Sequence, residues 1–410
     1  MMNLSGTTTR HWLSLFCAGT FWAAAITPVR SQCPIAPTPI VKPSLPASAK
    51  PTPLLPQPIS PFLESAVTQP ERDLSTLRER QSLLTAIDHS LRYLQTGQAI
   101  AAYRLSPTPG ITRERVIRSL KRFRQLLLTV KSATALQTAI EREFAFYQAI
   151  GKDGQGTVDF TGYFEPVYTA SRRPTADFRY PLFRLPPDLA RWSKPHPTRL
   201  QLEGADGLQF HNHWLKGLEL VWLRDRLEAF LIQVQGSARL QLTDGSVMTV
   251  GHAGTTDYPY TGVGRELVKA GKFKLEDLTL PLLIQYLEDN PADRDLYLPR
   301  NNRFVFFKQT GGASAIGSLG VPVTAERSIA TDKTQFPPGA LALIQTQLPV
   351  VDATGQLTKR PVNHYVLDQD TGGAIKGAGR VDLFMGTGKL AGDRAGLIND
   401  SGCLYYLLLK

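Results

Sequence analysis

Beyond Gly151 the chain breaks into short apolar runs separated by glycine-bearing turns, a pattern that fits closed or sandwiched sheets better than a doubly wound fold. Phe230, Ile232 and Val234 alternate with Leu231, Gln233 and Gln235, which predicts a strand. Asp244-Gly245 then offers a hairpin turn before Val247 to Val250. A helical interruption is expected over Gly264 to Gly271 and Leu280 to Glu288. Strands resume at Phe304 to Lys308 and continue through Leu341 to Gln345, His364 to Leu367, Val381 to Phe384 and Cys403 to Leu409.

Before Gly151 the period is helical. Leu77, Leu84, Ile87, Leu91 and Leu94 recur at helical spacing, with Pro70 suited to a first turn. Two more helices are expected, Thr112 to Thr129 and Ala133 to Ile150. The second carries Arg113, Arg115, Arg118, Lys121, Arg122 and Arg124 around an apolar stripe of Val116, Leu120, Phe123 and Leu127. Nucleic-acid binding would place those cations on one face with aromatic residues between them, so a solvated basic helix is the better reading.

At 410 residues the chain is long enough for two packed units. Its net charge of +11 favours anionic surroundings without choosing among nucleic acid, acidic lipid and a bacterial wall. Arg10, the apolar stretch Trp12 to Ile26 and the small residues Ala23 to Ala25 read as an export signal. Residues 34–61 hold ten prolines in twenty-eight positions, a tract expected to be extended polyproline II. Neither Cys17, after Leu15-Phe16, nor Cys33, after Ser31-Gln32, follows the small residues of a lipid-attachment signal. A disulfide framework is absent, and one bridge, Cys33 to Cys403, is allowed.

Several motifs fail on inspection. Gly386-Thr387-Gly388-Lys389 lacks the earlier glycine of a phosphate loop, Leu383 standing there, and Leu390 follows the lysine. His211-Asn212-His213 has no nearby cysteine or acid pair for a metal. No Gly-x-Ser-x-Gly elbow occurs.

What remains is a set of acids in glycine-rich surroundings: Asp332, Asp370 before Thr371-Gly372-Gly373, and Asp382 within Arg380-Val381-Asp382-Leu383-Phe384. Asp382 has the most apolar setting, and neighbouring acids would raise its proton affinity further. Such a carboxyl suits acid and then base duty in glycoside cleavage, if the substrate supplies its own nucleophile. The competing reading is that Asp370 and Asp382 merely cap turns.

The chain resembles the membrane-bound lytic murein transglycosylase A family, which carries the three-aspartate domain. The matching runs are Phe160 to Pro166, Gln233 to Ser237, Gly251-His252-Ala253-Gly254 with Tyr260, Phe304 to Lys308, Ser328 to Asp332 with Pro337-Pro338-Gly339, and Asp370 to Asp382. The resemblance implies a mainly β protein with N-terminal helices, a double-psi β-barrel and an inserted small β-domain. The expected division is a signal peptide at 1–32, a linker at 33–68, helices and barrel at 69–166 and 299–410, and the insert at 167–298. It implies cleavage of the β-1,4 bond between N-acetylmuramic acid and N-acetylglucosamine with formation of a 1,6-anhydromuramic end. Asp382 matches the catalytic acid, Asp332 and Asp370 the supporting acids. Thr161, Tyr163, Gln235, Ser237, Tyr260, Lys308, Gly373 and Lys376 match substrate contacts.

No cofactor and no metal are implied. The expected partner is the peptidoglycan glycan strand rather than nucleic acid. A monomer in the periplasm or cell envelope is expected, with room for peripheral association with an outer membrane. The chain departs from the family pattern at Ala238, at Thr256-Asp257 and at Thr261 to Gly264. A noncatalytic, expansin-like glycan-binding barrel is the alternative, and nucleic-acid binding through the basic helix a third reading.

Overall fold

The computed structural model describes residues 52–57, 74, 76–211, 214–312 and 314–410. The expected signal, most of the linker, Pro70, Asn212 and His213 lie outside the described residues. Within the proline tract, Leu54–Gln57 forms strand β1 and pairs antiparallel with β2, Phe144–Ala149. Polyproline II was expected there. Pro56 is tolerated because β1 lies at a sheet edge, and the Pro53 carbonyl still accepts from the Ile150 amide.

Four helices precede β2: Leu77–Tyr93, Gly97–Arg104, Arg113–Thr129 and Ala133–Glu143. The first starts at Leu77 because Thr76 and Glu79 form a reciprocal capping box. Arg113–Thr129 buries Val116, Leu120, Phe123 and Leu127, as the stripe predicts. Its cations are engaged locally: Arg122 pairs with Glu143, Arg124 with Asp88, and Arg115 donates to the Leu409 carbonyl. The fourth helix stops at Glu143, short of the expected Ile150. Phe144 and Phe146 are buried on alternate residues, and the segment pairs with β1 and with the C-terminal strand Asn399–Leu409, which a helix could not do.

The remaining strands are β3 (Val158–Glu165), β4 (Val167–Ser171), β5 (Tyr180–Phe183), β6 (Glu219–Leu223), β7 (Ser237–Leu242), β8 (Val247–Thr255), β9 (Val305–Gln309), β10 (Ser328–Ala330), β11 (Leu341–Val351), β12 (Leu357–Asp370), β13 (Arg380–Thr387) and β14 (Asn399–Leu409). Strands β14, β11, β12, β10, β13 and β3 follow one another by hydrogen bonding, and β3 returns to β14, closing a six-stranded barrel. Two contacts in the ring are parallel, β10 with β12 and β13 with β3. Val158, Phe160, Ile329, Ile344, Leu383 and Leu404 are buried in its core. Each large apolar side chain withdrawn from water stabilises the fold by roughly 1.5–3 kcal/mol.

Where β14 passes from β3 to β11, Gly402 lets the backbones meet: a Cβ there would stand 1.9 Å from the Gln345 carbonyl oxygen.

The chain leaves the barrel after Glu165 and builds a second, six-stranded sheet in the order β5-β6-β4-β7-β8-β9. Leu182, Val221, Leu240, Val250 and Phe307 form one core of this sheet; Phe183, Trp222, Phe304 and Phe306 form another. The hairpin at Asp244-Gly245 joins β7 to β8 as expected. The strand expected over Phe230 to Gln235 is instead the helix Arg226–Gln235. Asp225 caps its start, Gly236 in the left-handed region ends it, and Leu227, Phe230 and Leu231 turn together into an apolar cluster with Val263 and Leu267. Among the described residues no helix is long and apolar enough to cross a membrane.

Candidate active site

Strand register lays one row of side-chain positions across the barrel wall. Ala330 on β10 pairs with Asp370 on β12 and with Asp382 on β13; Asp382 pairs in turn with Thr161 on β3. A register shift between Ile329 and Ala330 is what brings Asp370 into this row. Ile329 pairs with Asp368, so the extra residue, Gln369, turns Asp370 to the face shared by Asp382 and leaves Asp368 on the other. Asp368 is fully buried there among Thr331, Lys333 and the hydroxyl of Tyr406.

Asp382 accepts from the Thr161 hydroxyl at 2.9 Å through Oδ1, and Thr161 Oγ1 accepts from Arg380 at 3.0 Å. Among the described residues no hydrogen bond reaches Asp382 Oδ2. Burial pushes this carboxyl up to about 6; the Thr161 bond and the Arg380 charge oppose the rise, and the Asp370 charge adds to it. Asp370 is held at both oxygens, accepting from the Tyr163 hydroxyl at 2.8 Å and from the amides of Ser318 and Thr371 at 2.7 and 2.8 Å. Burial, then the Asp370 charge, raises Tyr163 well above its ordinary value, so its hydroxyl stays a donor. The Tyr163 ring packs on Phe384 at 5.2 Å between centroids.

Asp332 stands apart from that row. Its oxygens accept from the Gly377 amide at 2.8 Å and from the amide and hydroxyl of Thr334 at 3.0 and 2.7 Å. Burial acts to raise this carboxyl, but the Gly377 and Thr334 bonds outweigh it and hold it below the usual aspartate range. Asp332 therefore clamps the turn that carries Lys376, which is exposed.

The other sequence candidates come from the second sheet and its loops. Gln235, at a helix end rather than on a strand, accepts from the Phe164 amide at 3.0 Å and so ties that helix to β3. Ser237 is buried at the start of β7 opposite Gly251. Tyr260 is raised by burial first and by the Asp382 charge next. A Cβ on Gly373 would lie 3.2 Å from Arg303 Nε and 3.5 Å from the Cβ of Tyr260, so the glycine turn meets the Tyr260 loop. Lys308 is exposed on β9. Arg303, Arg380 and His252 were not singled out from sequence. Arg380 was legible, two residues before Asp382 on one strand face; Arg303 was not, because only the fold carries it to Gly373.

This geometry recurs in known proteins. The family model described as the MltA specific insert domain matches residues 159–308, and the model described as the 3D domain matches residues 327–408. Membrane-bound lytic murein transglycosylase A of Escherichia coli strain K12 is 30% identical over 263 residues, covering 64% of this chain and 68% of the relative. Its namesake from Vibrio cholerae is 32% identical over 265 residues, covering 63% and 68%. The chain belongs to the membrane-bound lytic murein transglycosylase A family.

Solved structures agree with this membership. The E. coli MltA crystal structure with bound chitohexaose superposes with a TM-score of 0.62 at 25% identity, over 80% of this chain and 89% of the other. A membrane-bound lytic murein transglycosylase from Agrobacterium tumefaciens shares the fold, with a TM-score of 0.65 at 24% identity over 80% and 92% of the two chains. Within the family frame, the 3D domain match spans Asp332, Asp370 and Asp382.

Proposed function

We propose that this chain is a peptidoglycan lytic transglycosylase that cuts the β-1,4 bond between N-acetylmuramic acid and N-acetylglucosamine and leaves a 1,6-anhydromuramic end. Family membership supports the class, and the relative that holds chitohexaose supports a glycan in the site. The single observation that carries the mechanism is Asp382: half-buried, raised to about 6, and with no hydrogen bond to Oδ2 among the described residues.

On this reading Asp382, protonated at Oδ2, donates its proton to the glycosidic oxygen as the bond from that oxygen to the muramic C1 breaks. The muramic C6 hydroxyl closes on C1, forming the new C–O bond, and its proton returns to the Asp382 carboxylate. No water is consumed, and the acid is regenerated. The internal hydroxyl attacks at high effective concentration, so a second carboxyl nucleophile is not required. Asp370 tunes Asp382 by its charge and fixes Tyr163; Asp332 fixes the Gly377 turn.

The barrel is read as a double-psi barrel, with 69–166 and 299–410 forming one wall of a glycan groove and 167–298 the other. Gln235, Ser237, Tyr260, Lys308, Gly373 and Lys376 are read as groove contacts. Export to the periplasm or cell envelope, with peripheral attachment to an outer membrane, fits the signal-like start. Cys403 is disulfide-bonded, which suits an oxidising compartment; the other cysteines, Cys17 and Cys33, lie outside the described residues.

Incubating purified sacculi with the protein and weighing the products tests the reading. Anhydro ends support it, reducing muramic ends mean hydrolysis, and binding without product favours the noncatalytic barrel.

A further inference from the structure

Among the described residues three arginines near Tyr260, Arg303, Arg380 and Arg265, form no ion pair, although the Arg380 charge acts on Asp382. Arg303 is part-buried, its guanidinium held below its ordinary value by that burial, and among the described residues its one hydrogen bond goes to the Tyr258 carbonyl at 3.2 Å. Arg380 donates to Thr161 at 3.0 Å, while its buried Nε has no partner. Arg265 is exposed beside Gly262 in the same loop, where a Cβ on Gly262 would lie 3.7 Å from the Tyr260 ring and 3.8 Å from Arg265 Cγ.

Four other buried or half-buried arginines are matched by acids. Arg199 meets Glu203, Arg226 meets Glu203 and Asp295, Arg294 meets Asp225, and Arg394 meets Glu326. Withdrawing a cation from water without a counter-charge costs free energy, so the part-buried Arg303 and Arg380, with the exposed Arg265 beside them, favour an anion among them.

A neutral chitin-type strand provides no such anion. Muramic residues do, either through the lactyl carboxylate when the strand is denuded or through the carboxylates of a stem peptide. Planar guanidinium groups suit carboxylates because they donate two parallel hydrogen bonds.

We propose that Arg303, Arg380 and Arg265 form a carboxylate-binding rim beside Asp382, by which the site recognises the acidic substituents of muramic residues as well as the sugar rings. The proposal rests on the lytic reading above and specifies its substrate. Two hydrogen bonds, Asp382 to Thr161 and Thr161 to Arg380, separate the acid from the rim, so a carboxylate bound there belongs to a sugar close to the cleaved bond.

The test is binding to the Asp382→Asn protein, which needs no turnover. Three tetrasaccharides serve as probes: chitotetraose, the GlcNAc–MurNAc tetrasaccharide with free lactyl carboxylates, and the same glycan bearing stem peptides. A carboxylate-bearing probe should bind about tenfold more tightly than chitotetraose, with the advantage shrinking as salt rises. Tightest binding of the denuded glycan identifies the lactyl group, and a gain confined to the peptide-bearing glycan identifies the stem; either supports the rim.

Arg303→Gln should bring the ratio close to one, Arg303→Lys should restore part of it, and the exposed Arg265→Gln should lower it without loss of folded protein. Equal affinity for charged and neutral probes, or a ratio untouched by Arg303→Gln and Arg265→Gln, overturns the rim. Release of no anhydro product from sacculi by the wild type overturns the lytic reading instead, and the two failures are read in separate experiments.

Discussion

Asp382 ionises against its surroundings, and both activity and stability should show it. On the proposed mechanism its carboxyl starts protonated, and it is raised to about 6, so kcat/KM should fall as pH climbs past that value. Thr161→Val removes a hydrogen bond that favours the charged form, so the falling limb should move up by roughly half to one pH unit. Asp370→Asn removes a charge that disfavours it, so the limb should move down. A pH profile of each variant checks the opposed signs.

Stability follows the same linkage. A carboxyl whose folded value lies above its unfolded value near 4 costs nothing while both states are protonated, and its penalty grows as pH rises through the folded value. Asp382→Asn should therefore abolish turnover yet be more stable than wild type by roughly 2 kcal/mol at pH 8, with no gain at pH 3, in paired denaturation curves. Asp382 was legible because Val381, Leu383 and Phe384 announce a buried strand around it. The separation of Asp370 from Asp368 was not, since it depends on one unpaired residue in β12 that no local pattern marks.

Elements were legible where capping and periodicity agreed and illegible where packing overruled them. Thr112 and the stripe after it mark the helix Arg113–Thr129 to within a residue. Phe230, Ile232 and Val234 alternate like a strand, yet Asp225 and Gly236 cap a helix and apolar neighbours exist on two sides of it to bury Phe230 and Ile232 separately. Phe144 to Ala149 reads as a continuation of a helix until β14 is present to pair with it. The junction at Gly402 gives a strict test. Gly402→Ala places a methyl group inside the Gln345 carbonyl, so the variant should lose at least about 3 kcal/mol or fail to fold, seen as a lowered Tm or insoluble protein.

The molecule as a whole carries a closed barrel and a second six-stranded sheet, tied together by contacts of defined geometry. The Gln235 to Phe164 hydrogen bond is one of them. If the proposed groove lies between barrel and second sheet, Gln235→Ala should raise KM several-fold, consistent with the loss of about 1 kcal/mol, with little change in Tm, because it unties the helix from β3 without opening either core. A closed or sandwiched sheet was legible in the short strands and glycine turns, but not which strands close it, since closure depends on β14 reaching back to β3 across more than two hundred residues of sequence.

That return has a consequence during synthesis. The stave that shuts the hoop is the last of the fourteen strands among the described residues to be made, so the ribosome handles an open, gapped cylinder until Leu409 has emerged. A nascent chain halted in β13 would present the unzipped edges of β3 and β11 to chaperones and to other copies, making late truncation far more damaging than its length suggests.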